Sequence, residues 1–149
     1  MNAPVTMATI LRRFQIPDLD RHGKWILPRL LAAYPHLTER TAAGFLSGIV
    51  YQNDSLFLYQ SHSVALAQMV GSHTLAPKPI VWERFVWVED PNDKQQVEDA
   101  AVFYDEFARW AKAQGCETVV VEEMTDVPHE IIKQKLGRVF NRQQQFARL

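Results

Sequence analysis

The sequence predicts an α/β fold, a central mixed β-sheet with helices on both faces and the element order β-α-α-β-β-β-α-β-α-β. Two apolar stretches, 55–60 and 63–71, are separated by only two residues, which is the spacing of a tight antiparallel hairpin. The strand candidates at 80–88 and 117–124 flank a helical pattern, and a crossover of that kind requires a parallel pair. Antiparallel and parallel pairs in one sheet define the mixed class.

Composition limits the kind of protein this can be. The chain of 149 residues has the size of one domain, and its 47% hydrophobic content predicts a folded globule. The formal charge of −1 gives no indication of a nucleic-acid surface. No apolar run could cross a bilayer, and the N-terminus lacks the pattern of a signal peptide. We therefore expect a single cytoplasmic domain over 1–149 without membrane contact.

The N-terminal part predicts one strand and one helix. Residues 5–14 are rich in β-branched and apolar side chains and predict a strand. Asp18 or Asp20 can then cap a helix that continues through 25–34, because a carboxylate accepts the amides of a first turn. Pro28 lies inside that stretch and predicts either a kink or the start of a second helical piece, since proline removes a backbone donor.

The middle of the chain predicts a capped helix, the hairpin and a central strand. Thr38 is a suitable N-cap for a helix over 39–50. Both faces of strand 80–88 are apolar, which places it inside the sheet. Strict alternation divides its side chains into two faces: Trp82, Arg84, Val86 and Val88 on one, and Val81, Glu83, Phe85 and Trp87 on the other.

The C-terminal part predicts two helices that alternate with two strands. A helix over 96–114 is indicated by apolar residues at helical spacing, namely Ala100, Phe103, Tyr104, Phe107 and Ala111. A valine-rich strand over 117–124 follows. Pro128 then opens a short helix that ends at Gly137, and 138–149 predicts a last strand.

The order of elements, together with a valine-rich strand and a short helix that ends in Lys133-Gln134-Lys135-Leu136-Gly137, resembles the GNAT superfamily of N-acetyltransferases. The resemblance extends over nearly the whole chain. It implies acetyl-CoA as cofactor and transfer of an acetyl group to an amine.

The loop that opens the central helix departs from the family's pattern. In GNAT proteins this loop binds the acetyl-CoA pyrophosphate through the motif Gln or Arg, two residues, Gly, one residue, then Gly or Ala. Here Gln95 and Ala100 occupy the outer positions, and Glu98 stands at the middle glycine. If acetyl-CoA binds, the resemblance implies six cofactor-binding residues: Val88, Lys94, Gln95, Gln96, Glu98 and Ala100.

Electrostatics weigh against a phosphate site in this loop. The negative charges of Glu98 and Asp99 stabilise the helix, because they interact favourably with the positive end of its dipole. The same charges repel a pyrophosphate that approaches the backbone amides of the helix start. Two unit charges about 4 Å apart interact by about 4 kcal/mol at a surface-like dielectric. A micromolar ligand binds with only about 8 kcal/mol. Lys94 offsets part of this repulsion, and we expect an acidic, capped helix without a firmly bound cofactor.

Two residues are the catalytic candidates in the case of an active enzyme. Glu83 lies among aromatic neighbours, where desolvation would raise the pKa of its carboxyl group, and it is the expected general base. Glu122 and Glu123 are alternatives with the same chemistry. Lys133 stands where the family often has a tyrosine that protonates the leaving thiolate. No pattern of metal ligands is present in the sequence.

The altered loop favours a non-catalytic role. We expect a GNAT-like protein that acts by binding or assembly, with an active N-acetyltransferase as the alternative. Such altered copies are similar to phage-encoded members of the family, which implies the host cytoplasm or a virion as the location. A protein partner or a homo-oligomer is expected, and the segment 138–149 is the candidate surface because an edge strand offers unpaired amides.

Overall fold

The structure is a computed structural model that describes residues 12–70, 80–116, 119–121, 125–136 and 139–141. Within these ranges no helix is long and apolar enough to span a membrane. The sequence predictions for 5–11, for 142–149, and for Glu122 and Glu123 lie outside the described residues.

One mixed sheet forms the centre of the molecule, and its six strands lie in chain order. The strands are β1 (Arg12–Arg13), β2 (Ser55–Gln60), β3 (Ser63–Val70), β4 (Ile80–Val88), β5 (Val119–Val121) and β6 (Val139–Asn141). Each of the first four strands is antiparallel to its neighbour, while β4, β5 and β6 run parallel. The predicted hairpin and the predicted parallel pair are both confirmed.

Helices cover both faces of the sheet. They are α1 (Ile16–Ala33), α2 (Glu39–Ile49), α3 (Lys94–Ala100), α4 (Val102–Ala113) and α5 (His129–Lys135). One apolar core lies between the sheet and α1 and α2, and a second lies between the sheet and the helices α4 and α5. The predicted α/β class, with helices on both faces, is confirmed.

Helix α1 differs from the prediction at its N-cap and at Pro28. Gln15 is the N-cap, and Asp18 contributes from the third helical position, where its carboxylate accepts the Gln15 N–H at 2.8 Å. Pro28 neither divides nor ends the helix, which continues to Ala33. Proline has no N–H to donate to the carbonyl four residues earlier in the helix. Since Pro28 is exposed, water can bond to that carbonyl instead.

The central helix is interrupted once. The sequence predicts one helix over 96–114, but α3 and α4 are separated at Ala101. At this point the bonding tightens to the i→i+3 pattern: the Ala101 N–H bonds to the Glu98 carbonyl and the Tyr104 N–H to the Ala101 carbonyl. The helix also begins two residues earlier than predicted, because Asp93 caps it.

A β-bulge in β4 makes the prediction of strict alternation wrong. Phe85 pairs with Leu66, but the next residue of β3, Ala67, pairs with Glu83, so Arg84 is an extra residue. The extra residue reverses the alternation from that point onwards. Val86 and Val88 therefore join Val81 in the core beneath α4, whereas Phe85 and Trp87 pack against α1 and α2.

Candidate active site

The N-terminus of α3 is where the sequence places a pyrophosphate loop, and its first amides are already bonded. Oδ1 of Asp93 accepts the N–H of Gln95 at 3.0 Å and that of Gln96 at 3.4 Å. The Val97 N–H bonds to the main-chain carbonyl of Asp93 at 3.2 Å. An N-cap of this kind satisfies the amides that an anion would otherwise use.

Side chains around this helix start are acidic or engaged with one another. Gln95 donates from Nε2 to Oδ1 of Asp99 at 2.8 Å, and Oε1 of Gln96 accepts the Asp90 N–H at 2.8 Å. Lys94 and Glu98 are exposed.

Ala100, the last residue of the implied motif, is fully buried in the core between the sheet and α4. Within the segment 90–100, four carboxylates, on Asp90, Asp93, Glu98 and Asp99, stand against the one cation of Lys94. The local field disfavours an anion.

Val88, the predicted cofactor contact at the end of β4, already has a hydrogen-bond partner for its backbone N–H within the chain. Its N–H donates to Oδ2 of Asp126 at 2.8 Å, and the Asp126 N–H donates to the Val86 carbonyl at 2.9 Å. An extended ligand that added to this edge of β4 would use the same two groups. The segment after β5 thus occupies this part of the strand edge.

Arg29 of α1 fixes Asp126 in that position. Its guanidinium forms two hydrogen bonds to the Asp126 carboxylate, and it also donates to the Val88 carbonyl at 3.1 Å. The same group lies 4.9 Å from the centre of the Trp87 ring. A cleft of about 400 Å³ opens beside this junction, between α1 and the residues 125–126. This cleft is the place where a ligand could approach the end of β4.

Glu83, the predicted general base, lies fully buried inside the sheet rather than at the cleft. The hydroxyl of Tyr104 joins Oγ1 of Thr125 at 2.7 Å. Burial and the negative charge of Glu83 raise the pKa of Tyr104 well above its ordinary value. Tyr104 therefore remains a neutral hydroxyl at any physiological pH, available for hydrogen bonding but not as a phenolate.

Lys133, the other predicted catalytic residue, is exposed on α5. Glu83 and Lys133 therefore lie in opposite environments, one fully buried and the other in solvent. No cluster of three potential metal ligands is found in the part of the chain that the structure describes.

Three residues that shape the site did not emerge from the sequence. Asp93 had a recognisable signal, since an aspartate directly before a helical pattern is typical of an N-cap. Arg29 and Asp126 are 97 positions apart, and nothing in the local sequence indicates that they meet.

The comparisons with known proteins concern the fold. No family profile and no curated protein matches the sequence. Among solved structures, glucosamine-6-phosphate N-acetyltransferase from Arabidopsis thaliana superposes with a TM-score of 0.58 at 16% identity, covering 86% of this chain and 89% of that one. An aminoglycoside 6'-N-acetyltransferase from Acinetobacter haemolyticus gives 0.56 at 13% identity, with 75% and 77% covered. An aminoglycoside N-acetyltransferase in complex with CoA gives 0.51 at 16% identity, with 85% and 82% covered.

This chain has the fold of the GNAT acetyltransferases. The match extends over three quarters or more of this chain and of each of the three solved chains. At these identities the likeness establishes the fold alone.

Proposed function

We propose that this GNAT-fold chain is a non-catalytic binding or assembly protein with an altered acyl-CoA pyrophosphate loop. One observation carries the proposal: the Asp93 carboxylate accepts the amides of Gln95 and Gln96, to which a pyrophosphate would have to bind. A cofactor would have to displace this carboxylate before it made its first hydrogen bond.

The end of β4 supports the same proposal. The Asp126 carboxylate accepts the Val88 N–H, and the Asp126 N–H donates to the Val86 carbonyl. Two hydrogen bonds from Arg29 hold Asp126 in this position. Hydrogen bonds to charged groups contribute about 1.5–3 kcal/mol each, so displacing Asp126 has a substantial cost. Two contacts thus oppose the cofactor, one at the start of α3 and one at the end of β4.

Isothermal titration calorimetry with acetyl-CoA tests the proposal. We expect no binding by the native chain at micromolar concentrations. We expect measurable affinity after Asp93→Ala is combined with Glu98→Gly and Asp99→Gly, because these changes free the amides of Gln95 and Gln96 and remove the two charges that follow them. Glu106→Gly is the control, because it removes a carboxylate from α4 outside the loop. A native Kd in the low micromolar range would refute the proposal.

The proposed partner is another protein or a second copy of this chain, which fits the phage-related assembly role implied by the resemblance. Its candidate surface, 138–149, lies almost entirely outside the described residues. Light scattering of the native chain, with Arg142→Glu and Phe146→Ser as interface variants, tests association. Circular dichroism must first show that both variants remain folded. A monomeric native chain would contradict assembly with itself, and a pull-down with candidate partners then becomes the decisive measurement.

The second candidate function is an active N-acetyltransferase that transfers an acetyl group from acetyl-CoA to an amine. The cleft of about 400 Å³ beside Trp87 favours it, because a ligand can reach the end of β4 there. Glu83→Gln tests the base expected from the sequence in an assay with an amine panel: loss of turnover would assign the base to Glu83, whereas unchanged turnover would show that its burial inside the sheet keeps it out of the reaction. Lys133→Ala tests the proton donor in the same assay. Turnover by the native chain would favour the enzyme over the binding protein.

A further inference from the structure

A second cleft, of about 250 Å³, lies between the sheet and the pair α1 and α2. Three residues of its wall, Leu30 of α1, Leu66 of β3 and Phe85 of β4, are buried in the core. Phe45 of α2 also lines the cleft, but it is 41% exposed and therefore stands where the cleft meets solvent. The cleft is an apolar recess with access from outside.

Aromatic rings form much of this wall. The rings that line the cleft belong to Tyr34, His36, Phe45 and Phe85. Phe85 stacks on Trp87 with the ring centres 4.0 Å apart, and Tyr34 meets His36 edge to face at 6.4 Å. Rings that are already held in place can contact one more ring at little further cost in side-chain entropy. The wall therefore favours an aromatic ligand over an aliphatic one.

The polar side chains of the wall are engaged within the chain. Gln68 donates from Nε2 to Oγ of Ser55 at 3.2 Å, and its Oε1 accepts Nε–H of Arg84 at 2.8 Å. The Arg84 guanidinium also lies 4.8 Å from the centre of the Trp82 ring. Among the described residues that line the cleft, none is a carboxylate. A cation thus finds no ion partner in this wall, and an anion has to compete with the contacts of Arg84, while both lose hydration on entry.

We propose that this cleft is a binding site for a small, uncharged aromatic molecule. Its volume sets the size of the ligand. An apolar cavity of about 150 Å³ takes up benzene, whereas drug-sized ligands occupy pockets of about 300–1,000 Å³. At about 250 Å³ the cleft has room for an aromatic ring with a short substituent.

This site is separate from the acyl-CoA loop. Leu30, Leu66 and Phe85 belong to the core that α1 and α2 cover, on the opposite face of the sheet from α4. Binding in the cleft is therefore expected whether or not the chain binds acetyl-CoA.

Protein-observed NMR titration tests the proposal with four probes of similar size: benzyl alcohol, cyclohexylmethanol, benzoate and benzylamine. Cyclohexylmethanol lacks the aromatic ring, while benzoate and benzylamine carry opposite charges at neutral pH. We expect benzyl alcohol to bind the native chain most tightly, with a Kd in the millimolar range or below. It should shift the backbone signals of Leu37, Leu66 and Phe85, which line the cleft.

Phe45→Ala should weaken the binding of benzyl alcohol by about twofold to tenfold, which is the loss expected for one aromatic contact. The matched control is Tyr51→Ala. Tyr51 is the other large apolar side chain that is exposed among the described residues, and it does not line the cleft. This control should bind benzyl alcohol as the native chain does.

A second pair of variants keeps the test decisive if Phe45→Ala alters the fold. Leu37→Trp fills the cleft from the connection between α1 and α2 and should abolish binding. Leu27→Trp adds the same side chain at a half-buried position beside the same core but outside the cleft, and it should preserve binding. Equal affinity for the four probes, shifts that map away from the cleft, equal losses in Phe45→Ala and Tyr51→Ala, or no binding in the millimolar range would each overturn the proposal.

Discussion

Asp126 bonds to the end of β4 as a neighbouring strand would, since its carboxylate accepts the Val88 N–H at 2.8 Å. A side chain thus continues the bonding of the sheet beyond the last paired residue of β5. The two hydrogen bonds from Arg29 make this contact a junction between α1, β4 and the segment that follows β5.

Asp126→Asn should lower the free energy of unfolding by about 1–3 kcal/mol, because it removes one charge of a largely buried, hydrogen-bonded pair. The exposed fractions of the two side chains are 29% for Arg29 and 11% for Asp126. Asp105→Asn is the matched control, since its pair with Lys135 is 37% exposed on both sides and should contribute at most about 1 kcal/mol. Urea unfolding of the two variants gives the comparison, and equal losses would contradict the special role of Asp126.

Asp93→Ala should destabilise the protein by about 1 kcal/mol, the usual loss when an N-cap is replaced by alanine. Asp93→Asn should be nearly neutral, because asparagine caps as well as aspartate does. The midpoints of thermal unfolding distinguish the two variants. If both lose the same stability, the charge of Asp93 matters rather than its hydrogen bonds to Gln95 and Gln96, and the interpretation of this helix start has to change.

Elements with a strong hydrophobic period were predictable from the sequence. The predicted bounds 55–60 and 80–88 are those of β2 and β4, and Thr38 is the N-cap of α2, where its hydroxyl accepts the Thr41 N–H at 3.1 Å. These features depend on side chains that are close in sequence. Local pattern therefore carries the necessary information.

Features that depend on contacts between distant elements were not predictable. The bulge at Arg84 shifts the register with β3, and no residue in β4 marks it, since neither glycine nor proline occurs there. As a result the faces of Val86 and Val88 were predicted wrongly. The same limit applies to the candidate site, where Asp126 reaches β4 only because the sheet brings the segment after β5 alongside it.

Pro28→Ala should raise the free energy of unfolding by about 2–2.6 kcal/mol. An interior proline costs a helix about 3 kcal/mol, and the gain is reduced by the greater freedom of the unfolded alanine chain, about 0.4–1 kcal/mol. Pro17→Ala is the control, because Pro17 is exposed in the first turn, where proline is well tolerated and removes no intrahelical bond. Urea unfolding of both variants measures the difference. A loss of stability in Pro28→Ala would instead show that proline positions Arg29 for its contact with Asp126.

His22 should make the protein less stable as the solution becomes mildly acidic. Its ring is buried, with Nε2 at 2.8 Å from the Tyr59 hydroxyl, and burial lowers its pKa below the ordinary value of 6.5. The nearby charges act in both directions: Asp18 and Glu89 favour protonation, while Arg21 and His62 oppose it.

The unfolded chain protonates His22 near the ordinary pKa of 6.5, whereas the folded chain does so only at a lower pH. The free energy of unfolding therefore decreases as the pH falls from 6.5 to the lowered pKa of the folded state. Asp18, whose pKa is lowered by its hydrogen bond to Arg12, acts only at lower pH, as its ordinary value is 3.8. Urea unfolding from about pH 7.5 to about pH 5 should therefore show a slope in the native chain that His22→Gln reduces. His36→Gln, at an exposed position, should keep that slope. An unchanged slope in His22→Gln would mean that another group controls the acid response of the fold.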